Sequence, residues 1–422
     1  MIITLQYGRK GLEVELPDSY STDVIESVWT EGIRDQGQAI TDALRKPFDS
    51  KPLRKIVRPG DSVGIIFSDI TRATPYNIII PALLNELDNM KRENIRFFCA
   101  NGTHRMATHD ELKRILGSEV VRNYEIIQNE SGKADLFQSV GKTSSGNEIL
   151  INREILKCDL KILTGFIEPH FFAGFSGGAK ALIPGMAHVS TIKYNHSVKY
   201  LSHEKAKWGI TEGNPFWEEV MEAADFIPGL FLLNVAMNRN KEITNVFAGN
   251  LKKAHAAGCG IVKKSAMVPV GNLYDIVVTS NSGYPLDLNI YQAVKGMSAA
   301  AQIVKNGGHI IIAAECWDGI PSGSDYERIL AEVDSADSLL EYVEENEGRL
   351  KDTWQVYLQA LIMKKANVFL YSDRIGHDLI KKALLVPVDN IGRLTEELVR
   401  KTGPGVKICF LPEGPQTIPY LV

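Results

Sequence analysis

Short runs of β-branched and aromatic residues alternate with amphipathic stretches through the first half of this 422-residue chain. Four of these runs have the length of buried strands: 62–68, 95–100, 124–128 and 160–166. The segments between them have helical periodicity, and such alternation is typical of a mostly parallel sheet that is covered by helices. The N-terminal residues instead alternate in polarity around Gly8 and Gly11, which predicts a β-hairpin.

The hydrophobic pattern changes after Gly229. Two strand-like runs follow each other closely at 230–238 and 243–249, then a long helical stretch covers 250–266, and 267–272 has the composition of a linker. A second α/β series comes after this linker. Its strand-like runs and main helical segments lie at 274–280, 309–315, 366–372, 406–412, 289–306 and 352–365.

The pattern therefore predicts an α/β protein with two α/β domains, each built on a mostly parallel sheet. We place the boundary near residue 270, so that residues 1–270 form an N-terminal domain and residues 271–422 form a C-terminal domain that closes a substrate cleft. An active site is expected in the interdomain cleft, because ligands of open parallel sheets bind at the carboxyl ends of the strands.

The composition limits the kinds of binding partner that are expected. The net charge is −4, and lysines and arginines are scattered, so neither a nucleic-acid surface nor a membrane surface is indicated. No apolar run reaches the length of a membrane span, and the five cysteines form no CxxC pair. We expect a cytoplasmic protein with small polar partners; its oligomeric state stays open, and a homo-oligomer is allowed.

Polar residues follow the ends of the predicted strands. Asp69 and Arg72 come directly after 62–68, and His104 follows 95–100. An arginine at a strand end can hold a carboxylate or phosphate through two parallel hydrogen bonds. The alternative is a local Asp69–Arg72 ion pair that holds the loop together, while a single loop histidine is usually just exposed.

The segment "EPHFFAGFSGGAKALIPG", residues 168–185, combines a histidine and a lysine with aromatic and small residues. His170 lies among phenylalanines, and Ser176, Gly177 and Gly178 offer consecutive backbone N–H groups of the kind that hold a phosphate. The spacing is not that of a Walker loop. Lys180 lies between two alanines, where desolvation would lower its pKa and make the amine a nucleophile; otherwise it is an ordinary surface lysine.

Two further groups bear on a ligand site. His196 follows on or beside a helix that begins near His188, but the histidine spacing does not form a self-contained metal site. The helix at 289–306 carries Tyr291, Gln292 and Lys295 in its first turns. Gln292 and Lys295 share one helix face, so Lys295 could meet a substrate carboxylate across the cleft or could remain a solvated helix lysine.

Taken together, the segments "SDITRATP", "NGTHR", "EPHFFAGFSGGAKALIPG", "NHS" and "SNSGYPLDLNIYQAVKG" resemble the nickel-dependent lactate racemase family over nearly the whole chain. The resemblance implies a nickel pincer nucleotide, that is, a pyridinium-3-thioamide-5-thiocarboxylic acid mononucleotide. By the same resemblance, Lys180 carries this cofactor through a covalent thioamide, and His196 is the protein ligand to nickel. Two sulfurs and a ring carbon of the cofactor supply the other donors, which suits planar Ni(II).

The resemblance also implies the remaining roles. His104 and His170 match the catalytic histidines, and Arg72 with Gln292 and Lys295 matches the residues that hold the substrate carboxylate. The other predicted contacts are Tyr291 at the substrate and Asp69, Ser176, Gly177 and Gly178 at the cofactor, with Asp69 orienting Arg72 or contacting the cofactor.

The implied reaction is racemisation or epimerisation of a small 2-hydroxy acid, with lactate as the first expectation. It would proceed by proton-coupled hydride transfer to the cofactor through a 2-keto acid, and cofactor-synthesis enzymes would be transient partners. Two other interpretations remain open from the residues. One is a lyase or aldolase in which Lys180 forms an imine with a keto acid. The other is a non-catalytic carrier of the nickel cofactor, which would need neither catalytic histidine.

Overall fold

The structure is a computed structural model that describes residues 1–28 and 30–422. The strands, in chain order, are β1 Ile2–Leu5, β2 Leu12–Glu15, β3 Thr22–Val24, β4 Val63–Ser68, β5 Ile95–Ala100, β6 Glu125–Gln128, β7 Phe137–Lys142, β8 Glu148–Asn152, β9 Leu160–Phe166, β10 Pro169–His170, β11 Gly174–Phe175, β12 Leu230–Met237, β13 Ile243–Gly249, β14 Met267–Val270, β15 Tyr274–Ser280, β16 Val304–Ala313, β17 Asn367–Tyr371, β18 Val386–Val388, β19 Ile408–Leu411 and β20 Ile418–Leu421.

The α-helices are α1 Gln36–Arg45, α2 Leu53–Ile56, α3 Tyr76–Asn85, α4 His109–Leu116, α5 Ser118–Asn123, α6 Arg153–Leu156, α7 Val189–Asn195, α8 Val198–Leu201, α9 Pro215–Asp225, α10 Leu251–Ala266, α11 Ile290–Ala301, α12 Asp325–Glu332, α13 Ala336–Glu345, α14 Thr353–Lys365, α15 His377–Lys382 and α16 Ile391–Thr402. Short 3-10 helices cover Arg92–Asn94, Ala134–Leu136, Gly178–Ala181 and Gly414–Gln416. No helix of the described residues is long and apolar enough to cross a membrane.

The first large sheet has the strand order β13-β12-β9-β4-β5-β6, and only β13 runs antiparallel to its neighbour. Every residue of the central strand β9 is buried, as expected for a parallel strand that is covered on both faces. Alternate residues supply two separate cores, since Ile162 packs into one and Leu163 into the other. The predicted strands of this sheet are confirmed to within a residue or two.

The second large sheet is wholly parallel, with the strand order β18-β17-β16-β15-β19-β3. Its alternate residues again supply two cores, with Val277 on one side and Val278 on the other. The sequence-based prediction of an α/β fold with mostly parallel sheets is therefore confirmed.

The N-terminal residues depart from the predicted division of the chain. The hairpin β1–β2 forms as expected, but Leu5 and Val14 pack in the same core as Val278, and β3 pairs with β19 of the second sheet. The segment was assigned to the first domain because it precedes that domain in the chain. The apolar face of this segment is instead buried by the C-terminal sheet. We therefore propose residue 270 as a boundary only at the point where the chain passes from the first large sheet to the second.

Two smaller predictions also need correction. The segment predicted as a linker at 267–272 contains β14, which pairs in parallel with β20 near the end of the chain. The helix predicted at 289–306 ends at Ala301, and β16 begins at Val304. In both regions the hydrophobic residues are apparent from the sequence, but the strand that pairs with them lies far away along the chain.

Candidate active site

One cavity of about 990 Å³, partly open to solvent, lies between the carboxyl ends of the two sheets. All predicted site residues except Gly178 line it: Asp69, Arg72, His104, His170, Ser176, Gly177, Lys180, His196, Tyr291, Gln292 and Lys295. They come from both halves of the chain, as expected for a ligand site in a cleft.

Asp69 and His104 form a close pair at this cavity. Asp69 directly follows β4 and is buried, and its Oδ2 lies 2.5 Å from Nδ1 of His104, in the loop after β5. Burial by itself would raise the pKa of Asp69, but His104, Arg72 and Thr71 together lower it to about 2. The ionised carboxylate therefore accepts the Nδ1–H of His104, which leaves Nε2 of the imidazole with a free lone pair.

This pairing differs from the predicted role of Asp69. The side chain was expected to orient Arg72 or to contact the cofactor, with a local Asp69–Arg72 ion pair as the alternative. Only the backbones of these two residues are hydrogen-bonded to each other, at 3.2 Å, because the Asp69 side chain turns toward His104 and Thr71.

His170 is buried and meets its neighbours differently. Its Nδ1 accepts a hydrogen bond from the backbone N–H of Ala173 at 3.3 Å, so a neutral ring carries its proton on Nε2. The rings of Phe171 and Phe172 lie 4.9 and 4.5 Å away, as the sequence predicted. Burial, followed by the positive charge of Lys180, lowers the pKa of His170 well below 6.5. The two cavity histidines thus use Nδ1 in opposite ways: His104 donates from it to Asp69, whereas His170 accepts at it from Ala173.

Lys180 sits in the 3-10 helix after the glycine turn, and part of its side chain opens to the cavity. Its amine lies 4.6 Å from the ring centre of Phe216 and 5.4 Å from that of Phe172. No carboxylate of the described residues approaches it within ion-pair distance. Burial, followed by repulsion from Arg72 and Lys295, lowers its pKa well below 10.5. The amine is therefore an activated nucleophile rather than a solvated surface charge.

Two of the backbone donors of the glycine turn are used within the protein. The N–H of Ser176 donates to the carbonyl of Glu168 at 2.8 Å, and the N–H of Gly178 donates to Oδ1 of Asn234 at 2.8 Å. The Ser176 hydroxyl is also used, because it donates to the Phe166 carbonyl and accepts the N–H of Glu168. These groups hold the turn itself together, and the cofactor contacts of Ser176, Gly177 and Gly178 stay predictions.

Contacts with His255 and Asn234 determine the conformation of the glycine turn. Nε2 of His255 donates to the carbonyl of Ser176 at 2.9 Å, and its ring stacks on Trp217 at 4.6 Å. Gly177 has φ of 72°, and a Cβ there would lie 2.4 Å from Oδ1 of Asn234. Glycine is therefore required at this position, which fixes the start of the helix that carries Lys180.

His196 lies at the carboxyl end of α7 and is buried. Its Nδ1–H donates to the carbonyl of Ile192 at 2.9 Å, so the lone pair is on Nε2. Nε2 accepts no hydrogen bond from the described residues. Burial, followed by Lys180, lowers the pKa of His196 to about 3, which keeps the ring neutral at physiological pH. A neutral imidazole with a free Nε2 is a metal donor.

The turn that carries His196 is anchored by a buried carboxylate. Glu219 on α9 accepts hydrogen bonds from Asn195 at 2.6 Å, from Asn147 at 3.1 Å and from the Tyr200 hydroxyl at 2.6 Å. Across the described part of the chain, no cluster of three or more histidine, cysteine, aspartate or glutamate side chains could hold a metal by itself. Any metal at His196 would therefore need donors from a bound molecule.

The C-terminal half contributes a cationic group. Lys295 on α11 is buried, and its Nζ donates to Oε1 of Gln292 at 2.8 Å. Burial, followed by the nearby charge of Arg72, lowers the pKa of Lys295 to about 7, although the carboxylates of Glu168 and Asp69 oppose this effect. Arg72 extends from the other half and contacts Glu168 through Nη1 at 3.4 Å. The pair of cations can hold a carboxylate from opposite sides of the cleft.

Sequence reasoning missed three side chains at this site. Trp354 lines the cavity, donates from Nε1 to the Tyr291 hydroxyl at 2.9 Å and packs against His196 at 4.9 Å. Gln355 donates to the Tyr291 carbonyl. Both lie at the start of α14, where an aromatic and an amide give no signal of a site. Glu168 lies two residues before His170 in the segment 168–185. That proximity is the signal from which a role for Glu168 could have been predicted.

Comparison with known proteins places these motifs in a family. A family model described as the lactate racemase N-terminal domain matches residues 7–209, and one described as the lactate racemase C-terminal domain matches residues 271–418. A lactate racemase from Thermoanaerobacterium thermosaccharolyticum is 34% identical, covering 99% of this chain and 98% of the relative. One from Lactiplantibacillus plantarum is also 34% identical, with 98% of each chain covered.

Solved structures agree with this similarity. The lactate racemase apoprotein from Thermoanaerobacterium thermosaccharolyticum matches with a TM-score of 0.89 and 33% identity, over 99% of this chain and all of that one. A Thermotoga maritima protein matches with a TM-score of 0.72 and 18% identity, over 94% of this chain and 100% of that chain. The second likeness shows a shared fold and no more.

Proposed function

Since the chain belongs to the lactate racemase family and is therefore an isomerase of the racemase type, we propose that it interconverts the enantiomers of a 2-hydroxy acid, with lactate as the first candidate. The observation that carries this proposal is the pairing, in one cavity, of two carboxylate-binding cations with two histidines. A racemase needs one group that takes the hydroxyl proton in one orientation of the substrate and another that returns a proton in the opposite orientation, and His104 and His170 meet that need.

The site also fits the cofactor that the sequence resemblance implies, a nickel pincer nucleotide attached to Lys180. Lys180 offers an amine whose pKa is lowered by burial and that has no carboxylate partner among the described residues, which favours covalent attachment. His196 offers one oriented Nε2 donor, and the lack of a self-contained metal cluster among the described residues agrees with a metal that arrives with its own ligands.

In this proposal Lys180 and His196 hold the cofactor and its nickel. When bound, the cofactor supplies an acceptor for the C2 hydrogen as hydride, so that the substrate passes through a 2-keto acid. Gly177 borders the same cavity, whereas Ser176 and Gly178 act by shaping the turn. The cofactor would be made by other enzymes, which would be transient partners of this protein.

The remaining roles follow from the residues of the chain. Arg72 and Lys295 bind the substrate carboxylate, and Gln292 holds Lys295 in place through its 2.8 Å hydrogen bond. His104 accepts the hydroxyl proton at Nε2 while the ionised Asp69 stabilises the resulting imidazolium. His170 presents its Nε2 to the opposite orientation of the hydroxyl oxygen and donates a proton there.

The buried walls also control water. Phe171, Phe172 and Trp354 are buried and line the cavity, so they shield this part of it from water. Exclusion of water strengthens the ionic contacts of the substrate and prevents loss of a reactive intermediate. The tight aromatic packing and the Tyr291 hydroxyl favour a small substrate side chain.

The test uses protein produced with the cofactor-synthesis enzymes, with intact mass and nickel content measured first. Racemisation of lactate deuterated at C2 is then followed in ordinary water. We expect the opposite enantiomer to form with deuterium retained at C2, a primary isotope effect and a trace of 2-keto acid. Washout at the rate of racemisation would contradict hydride transfer. Failure of the loaded protein to racemise any of a panel of 2-hydroxy acids would overturn the proposed function.

The imine-forming alternative has one observation in its favour, the lowered pKa of Lys180. It makes a different prediction, since borohydride would then trap a keto acid on Lys180 in protein without nickel. The carrier alternative leaves the Asp69–His104 pair and the two cations without a purpose. A racemisation rate that requires His104 would exclude it.

A further inference from the structure

Glu168 is a buried carboxylate at the active site to which the proposed reaction gives no task. It does not line the active-site cavity. It lies behind Arg72, at 3.4 Å from Nη1, and lines a neighbouring cavity that also borders Phe166. A carboxylate in this position adds negative charge directly behind the group that receives the substrate carboxylate.

The position of Glu168 is fixed by the backbone. Its N–H donates to Oγ of Ser176 at 3.0 Å, and its carbonyl accepts the N–H of Ser176 at 2.8 Å. The next two residues, Pro169 and His170, form β10 and pair with β11. The backbone of Glu168 is therefore held in place, and its side chain contacts Arg72 from that position.

Glu168 changes the charge that Arg72 and Lys295 present to a ligand. Arg72 and Lys295 each contribute one positive charge when protonated, and Glu168 removes one. Asp69 is already paired with His104 at 2.5 Å. Burial raises the pKa of Glu168, and the positive charges of Arg72 and Lys295 only partly offset this. When ionised, Glu168 therefore lowers the positive charge that Arg72 and Lys295 present to a ligand.

The size of this effect can be bounded. At an effective dielectric constant near 20, a unit charge at roughly 7 Å changes a binding constant by roughly 10- to 100-fold. A ligand with two carboxylates would experience this repulsion twice, whereas a ligand with one would experience it once. The resident carboxylate therefore acts against dianions more than against monoanions.

We propose that Glu168 is a positioning residue that determines specificity: it holds Arg72 and limits the Arg72–Lys295 pair to one substrate carboxylate, so that monocarboxylic 2-hydroxy acids are selected over dicarboxylic ones. The proposal rests on the proposed function, because it assumes that these two cations receive the substrate carboxylate. Glu168 would thus determine which class of substrate the same site accepts.

The test compares oxamate with oxalate, which have nearly the same shape and differ by one negative charge. Dissociation constants are measured by calorimetry at pH 6.5, below the pKa of Lys295, on cofactor-loaded protein, for the wild type and for Glu168→Gln. The glutamine keeps the size and can still accept from Arg72. We expect oxalate to gain at least about tenfold over oxamate in the variant. Any contact of oxalate with nickel is common to both proteins and cancels in the comparison.

Two further variants complete the experiment. Glu13→Gln removes the same charge from an exposed position, and its oxalate-to-oxamate ratio should equal that of the wild type. Glu168→Asp keeps the charge, so its ratio should stay within about threefold of the wild type. It also provides a readout if the glutamine variant does not fold.

The outcomes separate this proposal from the one on which it rests. An unchanged ratio in Glu168→Gln, or a tenfold change in Glu168→Asp, would overturn the specificity role and leave racemisation intact. If the wild type bound neither oxamate nor oxalate, the assignment of Arg72 and Lys295 to a substrate carboxylate would fall, and the specificity role with it.

Discussion

Oδ2 of Asp69 lies 2.5 Å from Nδ1 of His104, and this contact determines which nitrogen of His104 can accept a proton. Asp69 stays ionised because His104, Arg72 and Thr71 outweigh the effect of burial on its pKa. Nδ1 therefore keeps its proton and Nε2 keeps its lone pair. In the proposed reaction, this relationship makes Nε2 of His104 the proton acceptor, whereas His170 presents an N–H.

Replacing Asp69 by asparagine should remove this control. The amide can donate to Nδ1, which favours the wrong tautomer, and it carries no charge to stabilise an imidazolium. We expect kcat to fall by roughly 100-fold or more. Steady-state racemisation checks this, with cofactor adduct and nickel content unchanged. Asp42→Asn, at an exposed position, is the matched control. A normal kcat in Asp69→Asn would remove His104 from its role as base.

Lys180→Ala should abolish both the covalent mass adduct and racemisation, while the apoprotein still folds. The side chain is shortened at the cavity, and the turn below it keeps its hydrogen bonds to Asn234 and His255. Intact-mass measurement after production with the cofactor-synthesis enzymes checks the result. Lys207→Ala removes an exposed lysine and should keep the adduct. An adduct of unchanged mass on Lys180→Ala would show that another residue carries the cofactor.

His196→Ala should keep the adduct but lose nickel. Attachment to Lys180 does not involve the imidazole, whereas Nε2 of His196 is the oriented donor that this chain presents for a metal. Metal analysis of purified protein after dialysis measures the loss, and His109→Ala is the control for an exposed histidine. Tightly held nickel at one equivalent in His196→Ala would contradict the assignment.

His196 also makes a prediction about pH and the stability of the apoprotein. Its pKa is about 3 when folded and near 6.5 when unfolded, so acid protonates the unfolded chain first and favours unfolding. Its stabilising contribution is therefore full above pH 6.5 and is lost as the pH falls toward 3. Between pH 7 and pH 5 the wild type should lose about 2 kcal/mol that His196→Gln does not lose. Urea unfolding at the two pH values measures this, and equal losses would contradict it.

Lys295→Ala should weaken substrate binding strongly, since a buried carboxylate would lose one of its two cations. A cost of about 2 to 4 kcal/mol corresponds to a rise in KM of roughly 30- to 1000-fold. Nickel and adduct should stay at the wild-type level. Lys263→Ala, an exposed lysine on α10, provides the comparison. If KM is unchanged in Lys295→Ala, the carboxylate binds elsewhere.

Much of the fold could be predicted because its signals are local. The strands β4, β5 and β9 are short apolar runs that any sheet would bury, and the helix α10 has a clear boundary at Asn250, whose side chain caps Lys253. The hairpin at the start of the chain was also visible. The position of this hairpin in the fold could not be predicted, because its own residues do not indicate which of the two sheets covers its apolar face.

The α/β class and the candidate site motifs could be predicted from the amino-acid sequence, because strand ends and unusual local composition are visible along the chain. The partners of those motifs depend on the three-dimensional fold. Asp69 and His104 are 35 residues apart, and Arg72 and Glu168 are 96 residues apart. A periodic pattern reports which face of an element is buried, but a hydrogen bond between side chains depends on where two distant strands end in space. The protonation of the cavity histidines depends in the same way on partners brought there by folding.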